Sequence, residues 1–213
     1  MAITPSGEYA FEYVGGRLCL DFTNTVGGMR PDQANEHLHA YGDLVEWARG
    51  AGIVTAAQAR RLAAAAERDP ASADRTLRRA RELREAIFRA TNAASHGDAP
   101  EEADLALLNR ALGQAMSRRK LLRQDGGLAL AWPDDDDLEA PLWPVVASAA
   151  DLLASEDLAR VHMCGESERG TCSWLFLDET RAGTRRWCTM KDCGNRAKQR
   201  RHYQRHRSER GAS

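Results

Sequence analysis

Apolar side chains recur every three or four positions along most of this chain and alternate only in short stretches, so the pattern predicts helices with a few small hairpins. From Glu36, the residues Tyr41, Leu44, Val45 and Ala48 share one helix face, and Gly50 and Gly52 end it. Thr55-Ala-Ala-Gln58 reads as a capping box for a helix to about Arg68, where Asp69-Pro70 stops it. The next helix, about Ser72 to Ala94, carries Leu77, Ala80, Leu83, Ile87 and Thr91 at helical spacing. Its other face holds Arg75, Arg78, Arg79, Arg81, Arg84 and Arg89, expected to be solvated and paired with Glu82 and Glu85. Pro100 begins a further helix with the stripe Leu105, Leu108, Leu112 and Met116. From Leu138 to Ser155, Leu142, Val145, Val146, Ala149, Leu152 and Leu153 form another. The aspartates Asp134 to Asp137 before it complement a helix N-terminus and lack the alternating ligands and turn glycine of a calcium loop.

Elsewhere the period changes. Tyr9 to Tyr13 reads as extended, and Leu18 to Val26 fits a strand or a helix equally well. Asp21 and Asn24 lie there among apolar neighbours, where an acid and an amide either orient a small ligand or tie down a loop. Cys19 reads as a buried small hydrophobe, and His37 and His39, two apart, do not share a helix face. Leu121 to Trp132 alternates around Asp125-Gly126, a hairpin signal. Near the C-terminus, Ser173 to Asp178 is a short apolar strand, Glu179 to Gly183 a turn, and Thr184 to Trp187 a return strand. Asn195 is then a helix cap, and Arg196 to about Arg210 contains no breaker. That last helix has only Ala197 and Tyr203 as apolar residues, so it has no face to bury and must meet water or a polyanion.

Charge sharpens this reading. From Arg181 onward there are eleven Lys or Arg against two acids, while the rest of the chain holds nineteen bases and twenty-nine acids, so the net charge of -1 hides a dipolar molecule. A basic helix of this kind attracts phosphates, which makes DNA the expected partner, with Arg196, Lys198, Arg200, Arg201, Arg205 and Arg207 contacting it. Tyr203 offers a stacking surface that favours RNA or single strands. At 213 residues and 43% hydrophobic, the chain can bury one main core plus a small appendage, with a division expected near Leu158 to Met163: residues 1–157 and 158–213. No apolar run approaches a membrane span, and the start, Met1 to Pro5, lacks a secretion signal, so a cytoplasmic protein with reduced thiols is expected.

Four of the five cysteines, Cys164, Cys172, Cys188 and Cys193, fall within thirty residues, and Cys188-Thr-Met-Lys-Asp-Cys193 has the short spacing that turns two thiolates onto one ion. One structural Zn2+ fits that pattern better than two disulfides in a reducing compartment. The first pair is widely spaced, so Gly165 to Thr171 must bulge, and His162 is the alternative ligand to Cys164 or Cys172. Knuckle, hairpin and helix together predict a treble-clef-like or ribbon-like finger after a mainly α (α+β) N-terminal domain. No phosphate loop, dinucleotide fingerprint or nucleophile–base set is present, which argues against an enzyme.

Trp174-Leu-Phe-Leu-Asp178, Arg185-Arg-Trp-Cys188 and Cys193-Gly-Asn-Arg-Ala-Lys198 resemble the CGNR zinc finger of bacterial proteins. Gly15-Gly-Arg-Leu-Cys-Leu-Asp-Phe-Thr-Asn-Thr25 is similar to the opening of the ABATE domain, the stress-induced transcription regulator domain that precedes that finger. The widened loop between Cys164 and Cys172 is where this chain departs from the finger's pattern. The resemblance implies a stress-related transcriptional regulator, and its N-terminal domain is expected to sense a small-molecule effector or form a homodimer. Two other readings stay open: a basic finger docking on an acidic protein, and a small-molecule-binding or enzymatic N-terminal domain with a purely structural finger.

Overall fold

The structure, a computed structural model, describes residues 10–124 and 126–211. Tyr9 of the expected extended segment and Asp125 of the expected Asp-Gly turn lie outside the described residues. The core is built around a six-residue helix, α1 (Leu18–Thr23), whose Cys19, Leu20 and Phe22 are fully buried. Phe22 meets Trp47 with ring centroids 4.9 Å apart. Thus the ambiguous segment begins as helix and ends as strand: β1 (Val26–Met29) follows and pairs antiparallel with β2 (Gln33–Glu36), from Val26↔Glu36 to Met29↔Gln33.

That hairpin displaces the helix expected from Glu36, which starts only at Tyr41: α2 (Tyr41–Gly50). The Asp43 carboxylate accepts from the His39 and Ala40 amides, each at 2.7 Å, and so holds the entrance extended until the first turn can close. Helix α3 (Ala56–Arg68) starts at its Thr55 cap, whose hydroxyl accepts from the Gln58 amide at 3.1 Å. Asp69 then ends α3 and caps α4 (Pro70–Ser95) by accepting from the Ser72 amide, and Pro70 occupies a first-turn position where no N–H is needed. Next come α5 (Glu102–Arg118) and the hairpin β3 (Lys120–Gln124) and β4 (Gly127–Ala131). Helix α6 (Leu142–Leu153) is shorter than its apolar pattern, because Pro141 and Pro144 fit only at its beginning and Leu138 to Pro141 form turns instead.

One arginine on α4 is misread by pattern alone. Arg84 is 3% exposed and grips both oxygens of Glu36 at 2.7 Å, with its Nε on Glu85 at 2.9 Å, so it locks β2 onto α4 rather than facing water.

The C-terminal part packs into the same core. β5 (Val161–Met163) and β6 (Leu175–Leu177) pair antiparallel, Val161↔Leu177 to Met163↔Leu175. The hairpin expected between β6 and Thr184 to Trp187 does not form. The Asp178 carboxylate accepts from the Thr180 and Arg185 amides at 2.8 and 2.9 Å, closing that segment as a loop while β5 takes the partner position. Side chains around β6 alternate as a strand requires: Leu175 and Leu177 enter the main core, and Trp174 and Phe176 face a second cluster made of cysteines. Helix α7 (Asn195–Gly211) ends the described chain.

Candidate metal centre and basic helix

Two turns bring the second cluster together. Cys164 and Cys172 flank the loop joining β5 to β6, and Cys188 and Cys193 flank the turn leading into α7. The Cys164 amide donates to the Trp174 carbonyl at 2.9 Å, extending the strand pair to the cysteine itself. The wide loop is no loose bulge. Glu166 O accepts from the Arg169 and Thr171 amides, Gly165 N donates to Arg186 O at 2.7 Å, and Gly170 turns the chain with φ of 67°. On the other side, Thr189 caps a π turn, Met190–Gly194, by accepting from the Lys191 amide at 3.1 Å. Gly194 lies against the exposed Met190 side chain, whose sulfur would have to move aside for a β-carbon there, at 2.6 Å. Asn195 is not a cap: it has helical dihedrals, the π turn runs directly into α7, and its side-chain Nδ2 donates to Lys191 O at 3.0 Å.

All four sulfurs lie within 4.8 Å of one another, and every one of these cysteines is buried. The separations of 3.9 Å for Cys172–Cys188 and 3.6 Å for Cys188–Cys193 bracket the edge of about 3.8 Å that a tetrahedron with Zn–S bonds of about 2.3 Å requires. No pair is joined as a disulfide. Four thiols this close cannot ionise together unaided. Hydrogen bonds from Cys172 and the other thiols hold Cys164 down, and the Cys164 thiolate in turn pushes Cys172 and Cys188 up. A divalent cation removes that conflict, so the donor set fits one structural Zn2+. His162 is not part of it; this exposed residue sets its ring 6.1 Å from that of Phe176.

Helix α7 leaves this centre with its bases in two environments. Arg196 donates from Nη2 to Cys193 Sγ at 2.9 Å. Arg200 pairs with Glu166, which is 2% exposed. Lys198, Arg201, Arg205 and Arg207 are exposed, as is Tyr203 at 73%. Arg185, which sequence reasoning passed over as part of a strand, is the finger's bracket. Its guanidinium lies 4.3 Å from the Phe176 ring centre and donates to the carbonyls of Val14, Leu177, Trp187 and Cys188. Glu166 was also passed over; its signal is an acid between Gly165 and Gly170 inside the cysteine loop.

Residues 16–156 match the family described as ABATE, "Putative stress-induced transcription regulator". The chain belongs to the ABATE family. Residues 160–206 match the CGNR zinc finger, in the order the motifs implied, and no curated protein matches the chain. Among the described residues, no helix is long and apolar enough to cross a membrane.

Asn24 and Asp21, the pair that the sequence offers for a ligand pocket, instead tie the ABATE and CGNR parts and the chain before α1 together. Asn24 donates to Leu175 O at 2.9 Å and accepts from Leu175 N at 3.1 Å, binding the end of α1 to β6. Asp21 accepts from the Gly15 amide at 2.7 Å, and burial raises its pKa to about 6. Their polar atoms are thus engaged with backbone. Cys19 is fully buried, and burial raises its thiol pKa to about 12, the state of a small core hydrophobe. A cavity of about 360 Å³ lies instead between the β1–β2 hairpin and the CGNR finger, with Glu12, Asn35, His37, Trp174, Asp192 and Arg196 in its wall.

Proposed function

We propose that this ABATE-family protein regulates transcription by binding DNA through α7. The observation that carries the reading is the helix itself: it is fastened at its first turns to the cysteine cluster and presents exposed bases from there on, with no apolar face to pack. The zinc's contribution is structural, holding Cys188 and Cys193 so that the π turn aims the helix. Lys198, Arg201, Arg205 and Arg207 then remain for phosphates, since Arg196 and Arg200 have partners within the finger. Anisotropy titration of the zinc-loaded chain against duplex DNA across salt tests this. Tight binding with a steep salt dependence, abolished by Lys198→Glu, Arg201→Glu and Arg205→Glu together, is expected; no binding at low salt overturns it.

A second reading, an effector-binding protein, draws on the cavity between the hairpin and the finger. An effector seated there touches both parts, which is the position from which a small molecule can alter α7. Thermal melts against a metabolite panel test it, and a shift lost in Asn35→Trp is the supporting outcome.

A further inference from the structure

Helix geometry divides α7 into two faces. At 3.6 residues per turn, Arg196, Arg200 and Gln204 fall on one side, while Lys198, Arg201 and Arg205 fall within about 60° of one another on the other. The first side meets the cysteine loop through the Arg200–Glu166 pair. At the border between the two sides is a groove of about 150 Å³, with Glu166, Arg169, Arg186, Trp187, Arg200 and Arg201 among its wall residues. Arg186 and Arg201 both approach the half-buried Trp187 indole, at 5.6 and 5.9 Å from its ring. Arg169, Arg186 and Arg201 are exposed. Of the groove's two acids, Glu166 is buried and neutralised by Arg200, which leaves Glu168 against three outward arginines.

We infer that this groove is part of the nucleic-acid surface: a DNA phosphodiester backbone runs along the Lys198–Arg201–Arg205 stripe and is clamped from the opposite wall by Arg169 and Arg186. The inference rests on the DNA reading above and deepens it by adding contacts from outside the helix. It also gives the widened loop a role, because the residues between Cys164 and Cys172 carry Arg169 and the Glu166 that anchors the helix beside it. The backbone bonds within that loop and the Gly165–Arg186 bond make the wall a fixed one. The Trp187 indole supplies an apolar surface with the Arg186 and Arg201 guanidinium groups within cation–π range of it.

The test compares salt dependence of binding to a short labelled duplex in the full, zinc-loaded chain. Arg169→Gln with Arg186→Gln is set against Arg78→Gln with Arg110→Gln, two exposed arginines of α4 and α5 that remove the same net charge elsewhere. Each lost phosphate contact lowers the slope of log K against log salt by about 0.9, so the groove pair should lose nearly two units and the remote pair none. Arg169→Lys with Arg186→Lys keeps the charges and should keep the slope, which separates a lost contact from a damaged fold. Equal slopes in the groove and remote pairs, with wild type binding, overturn the groove alone. A wild-type chain that does not bind overturns the DNA reading and the groove with it.

Discussion

Asp21 illustrates how one side chain can be both structural and titratable. Its carboxylate ties Gly15 to α1, yet burial lifts its pKa from 3.8 to about 6. Because the folded value lies above the unfolded one, the native state binds the proton more tightly. The residue therefore opposes folding above pH 6, and that penalty is relieved as pH falls from about 6 toward 3.8. Asp21→Asn should be more stabilising relative to wild type at pH 7 than at pH 5, read as urea midpoints; the same difference at both pH values contradicts the assignment. Arg196 makes a different residue-level prediction. A hydrogen bond to a ligand sulfur tunes the metal site from outside it, so Arg196→Gln should release zinc to a chromogenic chelator on the order of ten times faster than wild type. Unchanged release would place that guanidinium in solution instead. The four sulfur ligands were legible from spacing, whereas the partners of Arg196 and Arg200 were not: a charged side chain reads the same in sequence whether it faces phosphate or a neighbouring sulfur.

At the scale of elements, strand β6 and helix α1 decide how the molecule holds together. β6 belongs to both clusters, and Asn24 satisfies both the N–H and the C=O of Leu175. Asn24→Ala leaves those two buried groups unpaired and should cost about 2–4 kcal/mol in urea unfolding, with zinc lost more readily in the same variant. A change below about 0.5 kcal/mol would show that water replaces the amide. Long helices were readable because their stripes repeat over many residues; α3 and α5 start within about two residues of where the Thr55 cap and Pro100 put them, whereas Asp69-Pro70, read as the stop of α3, also starts α4 two residues before the expected Ser72. Short pairings were harder. The β1–β2 hairpin has few apolar residues beyond Val26 and Met29, and pattern alone pairs β6 with Thr184 to Trp187 because the strand that completes it, Val161–Met163, lies before the cysteine loop rather than after it. Adjacency in sequence favoured the hairpin; the Asp178 loop closure decided against it.

For the whole molecule, the charge pattern and the core tell one story. An acidic, mainly helical body carries a basic helix, and the two are connected through a finger whose strands share the body's core while its cysteines organise the helix. The finger's second cluster contains little besides the cysteines, Trp174 and Phe176, so the ion, not apolar burial, must supply most of its stability. Nucleic-acid binding through α7 should therefore depend on the metal even though none of the exposed bases touches it. The most direct measurement is duplex-DNA affinity as zinc is withdrawn by a chelator and then restored, with zinc content followed in the same samples. Binding that falls in step with zinc and returns with it is the expected result. A zinc-free chain that binds with the same affinity and salt slope would contradict it, showing that α7 acts as a basic tail and that the finger does not position it.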